Sequence, residues 1–381
     1  MSDSIILINN SRETFTSDRS GAIATCLWEL CRAADRVGVQ PHVISRRGEG
    51  FAYDWPALTW LPPLVSRRGV RETVERMQRR ATGWARHDQR AYAKQVAAHL
   101  RHVQPRIVVV NNDPEVAVYL RRAFPETRIV HWFHNLEVAG DRFRRRIVLD
   151  GQLEMVAVSD YLARAVETVY GLASLRVATA RNGVDSDRIR PGDHPSPAPV
   201  IGYLGRLAVE KGVDVLLSAC ALLVERGAGP FSLQLVGDTN WGYSDGGSYA
   251  RKIASAIDGL EARGVSVSRV GHVARDQIPD ALRGVDIHVV PSRWDDPMPL
   301  TVLEGMAAGL AVVASSSGGI PEVLWDVGRL VPRDDVGALA SVLHGLLQDA
   351  TERERLGRAA RARAEELTWD ATWTDLTGAT R

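Results

Sequence analysis

The sequence predicts an α/β protein made of two doubly wound, Rossmann-like halves. Three observations predict it. The chain has 381 residues, more than one hydrophobic core usually organises. Short apolar runs alternate with helical stretches from end to end, the pattern of buried parallel strands between covering helices. One proline-dense break, Pro191 to Pro199, falls near the middle and cannot sit inside a helix or a central strand.

In the first half the expected strands are Ile5–Ile8, His42–Ser45, Ile107–Val110, Ile129–Phe133, Met155–Val158 and Val177–Thr179. A helix is expected from about Gly21 to Val37, and an Arg-rich helical region from about Val65 to Val103. The break Pro191–Pro199 reads as a linker. The pattern then restarts with Ile201–Leu204, Leu233–Val236, Val265–Val270, Ile287–Val290 and Ala311–Ala314. In such sheets ligands bind beyond the carboxyl ends of the strands, and in a two-domain version that means a cleft between the halves.

Composition narrows the classes. With 45% hydrophobic and 24% charged residues, the chain can build two sizeable cores. A net charge of +1, from 47 Lys+Arg against 46 Asp+Glu, supplies no global field for nucleic acid, so no nucleic-acid partner is expected. Cys26, Cys31 and Cys220 lack metal-site spacing and read as small core residues, so no metal site is expected. The first ten residues resemble neither a signal nor a transit peptide, and no run approaches the roughly 20 apolar residues of a membrane span. The expectation is a soluble, cytoplasmic protein of undetermined oligomeric state.

Three segments carry chemistry. The strongest lies between Trp294 and Glu322: a strand ends at Pro291, a loop follows with Asp295, Asp296, Pro297 and Pro299, and a helix begins near Leu300. A helix N-terminus offers free N–H groups and the positive end of the dipole, which suits a diphosphate. Glu304 sits one turn in, where its carboxylate could accept two hydroxyl hydrogens, as a ribose diol would offer. The alternative is a first-turn dipole partner. Gly205-Arg206-Leu207-Ala208-Val209-Glu210-Lys211-Gly212 follows the strand at Tyr203-Leu204, so Arg206 and Lys211 place two cations at a strand's carboxyl end. The alternative is a solvated loop pairing with Glu210. Gly318-Gly319-Ile320-Pro321-Glu322 permits close backbone approach before another helix. In the first half, His134 ends a strand in His131-Trp132-Phe133-His134-Asn135, where an imidazole could hydrogen-bond a sugar or steady charge.

Taken together these residues resemble retaining GT-B glycosyltransferases of the large family four, the group 1 type. Gly205-Arg206 with Glu210-Lys211-Gly212, the acid pair Asp296/Glu304, Met306-Ala307-Ala308-Gly309 and Gly318 to Glu322 look like that family's donor half. Val158-Ser159, Asn182-Gly183-Val184-Asp185 and His134 extend the likeness into the first half, and Trp369 matches a tryptophan before the last helix. The resemblance covers most of the chain from about residue 129 onward.

The resemblance implies an acceptor-binding domain at 1–192, a donor-binding domain at 193–367 and a helix at 368–381 that crosses back to the first. It implies a hexose-type sugar taken from a nucleoside-diphosphate sugar, UDP favoured, and moved with retention to a small-molecule, natural-product or glycan acceptor. No metal and no cofactor are implied; the nucleotide-sugar is a co-substrate. By the same resemblance the catalytic residues are His134, Arg206, Lys211 and Asp296. Gly21, Gly205, Arg206, Lys211, Asp296, Met298, Leu300, Thr301, Val302 and Glu304 would bind the donor. Two departures stand out: the first acid is Asp296 where the family usually has Glu, and Ser20-Gly21-Ala22 replaces two adjacent glycines. The stretch Glu13–Arg19 is also unfamiliar.

A GT-B epimerase or hydrolase would use the same nucleotide site without an acceptor. A dinucleotide-dependent oxidoreductase would need Gly-x-Gly-x-x-Gly after the first strand, where Asn9-Asn10-Ser11-Arg12 stands. The Arg-rich region (Arg67, Arg68, Arg71, Arg76, Arg79, Arg80, Arg86 and Arg90, with Arg142, Arg144, Arg145 and Arg146) reads either as a solvated face or as a weak docking surface for anionic membrane.

Overall fold

A computed structural model describes residues 2–18, 21–63, 87–137, 153–171, 177–192, 198–238 and 247–378. The chain divides into two compact units. The first comprises Met1–Asn182 and Trp369–Arg381, the second Gly183–Thr368.

The first unit holds strands β1 (Ser2–Ile8), β2 (His42–Arg46), β3 (Leu58–Leu61), β4 (Pro105–Asn111), β5 (Arg128–Phe133), β6 (Glu154–Ala157) and β7 (Ala178–Thr179). They form one sheet in the order β3-β2-β1-β4-β5-β6-β7, every pair parallel. Among the described residues up to Asn182 its helices are α1 (Ala22–Arg36), α2 (His87–Val103), α3 (Pro114–Ala123) and α4 (Asp160–Tyr170). The central strands are buried on both faces: Ile6, Leu7, Ile8, Val108, Val109 and Val110 are fully enclosed. That two-sided burial is why they read as continuous apolar runs. In α2, Tyr92, Val96 and Leu100 recur at helical spacing and are buried. Ser159 caps α4, its Oγ accepting from Leu162 N at 3.2 Å.

The second unit holds β8 (Val200–Leu204), β9 (Ser232–Val236), β10 (Ser266–Gly271), β11 (Ile287–Val290), β12 (Ala311–Ser315) and β13 (Arg329–Val331). They form a second parallel sheet in the order β10-β9-β8-β11-β12-β13. Around it lie α5 (Val213–Glu225), α6 (Ser248–Glu261), α7 (Ile278–Leu282), α8 (Leu300–Ala307), α9 (Ile320–Leu324), α10 (Val336–Gln348) and α11 (Ala350–Glu366). Leu216, Leu223, Ile287, Val289, Val313, Leu343 and Leu356 are among the core residues.

The last helix, α12 (Trp369–Thr377), belongs to the first unit. It is tied there by Arg36 to Asp370 at 2.5 Å, by Arg128 Nη1 donating to Thr377 O at 2.7 Å and by Thr372 Oγ1 donating to Arg181 O at 2.5 Å. Trp373 is fully buried.

The chain passes between units at Asn182–Gly183, upstream of the proline-dense break that reads as the linker. Ile189 and Pro191 are already docked in the second unit. Arg361 Nη1 donates to Ile189 O at 2.6 Å, and Pro191 packs beside Gly309. Residues 193–197 of the break lie outside the described residues, as do Arg67 to Arg86 of the Arg-rich region and Arg142 to Arg146. Among the described residues no helix is long and apolar enough to cross a membrane.

Trp373→Ala should remove a large enclosed side chain from the first unit. The expected loss is about 3–5 kcal/mol from that unit's unfolding transition, read by denaturant titration.

Candidate active site

At the carboxyl ends of the second unit's strands, three loops lock together. The first, Gly205–Gly212, continues β8: Gly205 N donates to Val236 O at 3.0 Å and Leu207 N to Asp238 O at 3.0 Å. It closes in a 3-10 turn, Val209–Lys211. Gly212 follows at φ +68°, packed against the Pro291 carbonyl where any Cβ would collide. The second loop, Pro291–Pro299, follows β11. Arg293 N and Trp294 N both donate to Glu210 O, at 2.9 and 3.1 Å. The third loop follows β12. Gly319 N donates to Asp296 O at 2.9 Å, and Ser317 Oγ to Trp294 O at 3.2 Å.

Arg293 anchors this assembly. Its Nη1 and Nη2 reach the Asp214 carboxylate at 2.6 and 3.1 Å, its Nε pairs with Asp334, and Nη1 also donates to Val209 O at 3.0 Å. Burial alone would raise Asp214. Hydrogen bonds from Arg293, Lys252 and Tyr249 outweigh it and hold the carboxyl well below its usual range.

Within the locked loops the charges meet. Lys211 Nζ lies 2.7 Å from Asp296 Oδ2, both partly buried, though the two are 85 residues apart in sequence. Arg206 pairs with Glu210 at 3.0 Å, a contact exposed enough to contribute little stability and so free to change partners. Helix α8 opens at Leu300 with Pro299 before it and no side chain capping its first turn. Met298 and Val302 are buried; Leu300 and Thr301 sit partly exposed at the open end. Glu304, one turn further, is buried and forms an ion pair with Arg275 Nη1 at 2.7 Å. Thus Gly205, Arg206, Lys211, Asp296, Met298, Leu300, Thr301, Val302 and Glu304 all belong to the second unit.

Gly21 and His134 belong to the first unit. There the ends of β1, β4 and β5 carry a buried polar layer: Asn9, Asn10, Ser11, Asn111, Asn112, Asp113 and His134. Asn111 Nδ2 donates to Ile8 O at 2.9 Å, which turns its Oδ1 toward His134 Nε2, also at 2.9 Å. His134 is therefore assigned the Nε2–H tautomer, with Nδ1 left as the acceptor. Burial lowers its pKa to about 3, so the ring is neutral rather than a source of positive charge. Asn112, at φ +51°, accepts from His134 N and Asn135 N, both at 2.9 Å, and so fixes the backbone beneath the ring. Asp113 ties this layer to the segment that follows β1. Its Oδ2 accepts from Ser11 N, and its Oδ1 from Ser11 Oγ at 3.0 Å and Gln89 Nε2 at 2.9 Å.

Gly21 stands before α1, but what approaches its backbone is the Glu13 carboxylate. A Cβ at Gly21 would strike that carboxylate, whose Oε2 accepts from Ala24 N at 2.9 Å. A carboxyl group thus already occupies the end of α1. Burial pushes Glu13 up to about 7, against the backbone hydrogen bonds of Ala24 and Ile23.

Sequence reasoning missed Glu13, Asn111, Arg275 and Arg293. The paired asparagines Asn9-Asn10 and Asn111-Asn112 at strand ends were a usable signal for the polar layer. Nothing local marks Arg275 or Arg293, whose partners are distant in sequence.

With this geometry in hand, comparison with known proteins decides the family. A family profile described as "Glycosyltransferase Family 4" matches residues 23–188, and one described as "Glycosyl transferases group 1" matches residues 198–349. The chain belongs to the group 1 glycosyltransferases. This glycosyltransferase is 25% identical over 301 residues to spore coat protein SA of Bacillus subtilis, covering 73% of its own length and 78% of that protein's. It is 30% identical over 239 residues to D-inositol 3-phosphate glycosyltransferase 2 of Catenulispora acidiphila, covering 59% of its own length and 55% of that protein's. It therefore spans about half the length of the second. Among solved structures, Anabaena Alr3699/HepE in complex with UDP-glucose matches with a TM-score of 0.69 at 17% identity, over 98% of each chain. That likeness shows the fold, which is GT-B.

In this glycosyltransferase Glu13 is a raised carboxyl, so it stabilises the folded state fully below about pH 4.5 and loses that contribution as pH rises through about 7. Glu13→Gln should flatten the fall in stability across that window. Urea midpoints at pH 5 and pH 8 for both proteins check it, and equal slopes would refute it.

Proposed function

We propose that the protein moves a hexose-type sugar from a nucleoside-diphosphate sugar, UDP-sugar favoured, to a hydroxyl of a small-molecule, natural-product or glycan acceptor. The anomeric configuration is retained and no metal is needed. One observation carries this reading: Arg206, Lys211 and the uncapped end of α8 stand on the interlocked loops at the carboxyl edge of one sheet. Two cations and a helix N-terminus together can neutralise a leaving diphosphate, the role a divalent metal fills elsewhere. The UDP-glucose bound to HepE, a protein of the same fold, favours the same donor class here.

In this reading the bond between the anomeric carbon and the diphosphate oxygen breaks as an oxocarbenium-like centre develops. The acceptor oxygen bonds to that carbon on the same face. The departing phosphate oxygen takes the acceptor's proton, so no separate base is required. Arg206 gives up Glu210 and Lys211 loosens from Asp296 as the phosphates arrive, while Asp296 turns to hydroxyls of the donor sugar. Main-chain N–H groups at Met298 and from Leu300 to Val302 surround sugar and phosphates. Glu304 holds the ribose. Within the first unit, His134 can offer a hydroxyl a neutral imidazole, and any phosphate bound at Gly21 has to displace Glu13.

Arg206→Ala and Lys211→Ala should each lower kcat by about 10²-fold or more, since each removes charge stabilisation of the leaving group. Turnover within a few-fold of wild type for both would remove the diphosphate assignment. In thermal-shift measurements with UDP, GDP, ADP, dTDP and NAD, one nucleoside diphosphate should raise Tm equally with and without magnesium. A shift with NAD alone, or a requirement for magnesium, would count against the reading.

A further inference from the structure

The pairing of Glu304 with Arg275 shows a device that the donor-site reading does not contain. The Glu304 side chain is only 2% exposed, and Arg275 reaches its Oε1 at 2.7 Å. Despite that contact, neither carboxylate oxygen accepts a directed hydrogen bond among the described residues. A carboxylate has about four acceptor positions, and buried polar groups are rarely left without partners. The site is therefore short of hydrogen-bond donors, which hydroxyls of a ligand would supply.

Arg275 is well placed to be a fixed partner. It begins the 3-10 turn Arg275–Gln277, after β10. The turn is braced at both ends: Ala274 N donates to the Gln277 side chain at 3.0 Å and Gln277 N donates to Ala274 O at 3.0 Å. A guanidinium is a rigid planar donor, so it can hold a carboxylate in one orientation while leaving other acceptor positions open.

We infer that Arg275 is a positioning residue for Glu304, holding its carboxylate aimed at a vicinal diol, so that the pair discriminates ribonucleotides from 2′-deoxyribonucleotides. The inference rests on the donor-site reading above, in which Glu304 receives the ribose. A merely structural Arg275 would lower affinity for both sugars alike; a positioning Arg275 lowers only that for the ribose form.

The test is calorimetric titration of UDP, 2′-deoxy-UDP, GDP and 2′-deoxy-GDP into wild type, Arg275→Met and Arg275→Lys. Wild type should bind the ribose form of its preferred nucleotide about 10-fold or more tighter than the deoxy form, the scale of a hydrogen bond to a charged group. In Arg275→Met that ratio should fall toward one through weakened ribose binding, with deoxy affinity within a few-fold of wild type. Arg275→Lys should recover part of the ratio. If wild type discriminates and Arg275→Met keeps the same ratio, the positioning role is wrong while the donor site stands. If wild type binds none of the four, or binds ribose and deoxy forms equally, the ribose role of Glu304 fails and the inference with it. Should Arg275→Met not unfold cooperatively, Arg275→Gln, which keeps a donor without the charge, carries the same comparison.

Discussion

The second unit's site depends on one partly buried ionic contact, the grip of Arg293 on Asp214. Arg293 follows β11 directly, so its guanidinium fixes where the Trp294–Pro299 loop leaves the sheet. The same side chain holds Val209 O, and the adjoining backbone holds Glu210 O, so the loop after β8 is set by the same residue. Lys211 and Asp296 meet because both loops are referred to that anchor. A partly buried charge pair is a poor way to gain net stability, since desolvation offsets much of the attraction. Its use here is geometric: it leaves one arrangement for loops that would otherwise have many.

The first unit orders the ends of β1, β4 and β5 chiefly with side-chain amides. Its strand ends carry asparagines whose amides each bridge two segments. Asn10 Nδ2 donates to Asn111 O and Asn112 O, while Asn112 Oδ1 collects two backbone donors. Amides satisfy backbone groups without adding charge to the layer, and burial there keeps the His134 ring neutral. The second unit thus orders its loops with paired charges, and the first surrounds its imidazole chiefly with neutral amides.

Much of the fold was legible because buried parallel strands leave an unambiguous signature: apolar runs such as Ile107–Val110 and Ile287–Val290 lie within β4 and β11. Two of the four edge strands, β3 and β13, were not. In β3, Leu58–Leu61 is short, half-buried and flanked by Pro56 and Pro62; in β13, Arg329–Val331 is three residues long and exposes Leu330. An edge strand lacks the burial on both faces that makes a continuous apolar run. The proline-dense segment misled for a related reason, because proline density marks irregular backbone and not separation between units. At the site, residues followed by a helix start were readable, since α8 and its preceding loop are local in sequence. Partnerships were not: Arg275 with Glu304, Arg293 with Asp214 and Glu13 over Gly21 all arise from tertiary folding.

The placement of α12 has a consequence for biosynthesis. The first unit begins the chain, yet one of its enclosed tryptophans arrives only after every residue of the second unit has been made. On a ribosome, the usual order in which an N-terminal domain completes itself before the next emerges cannot apply. The surface that receives Trp373 stays uncovered while about half the chain is translated and folds. The first unit is therefore begun before the second and finished after it.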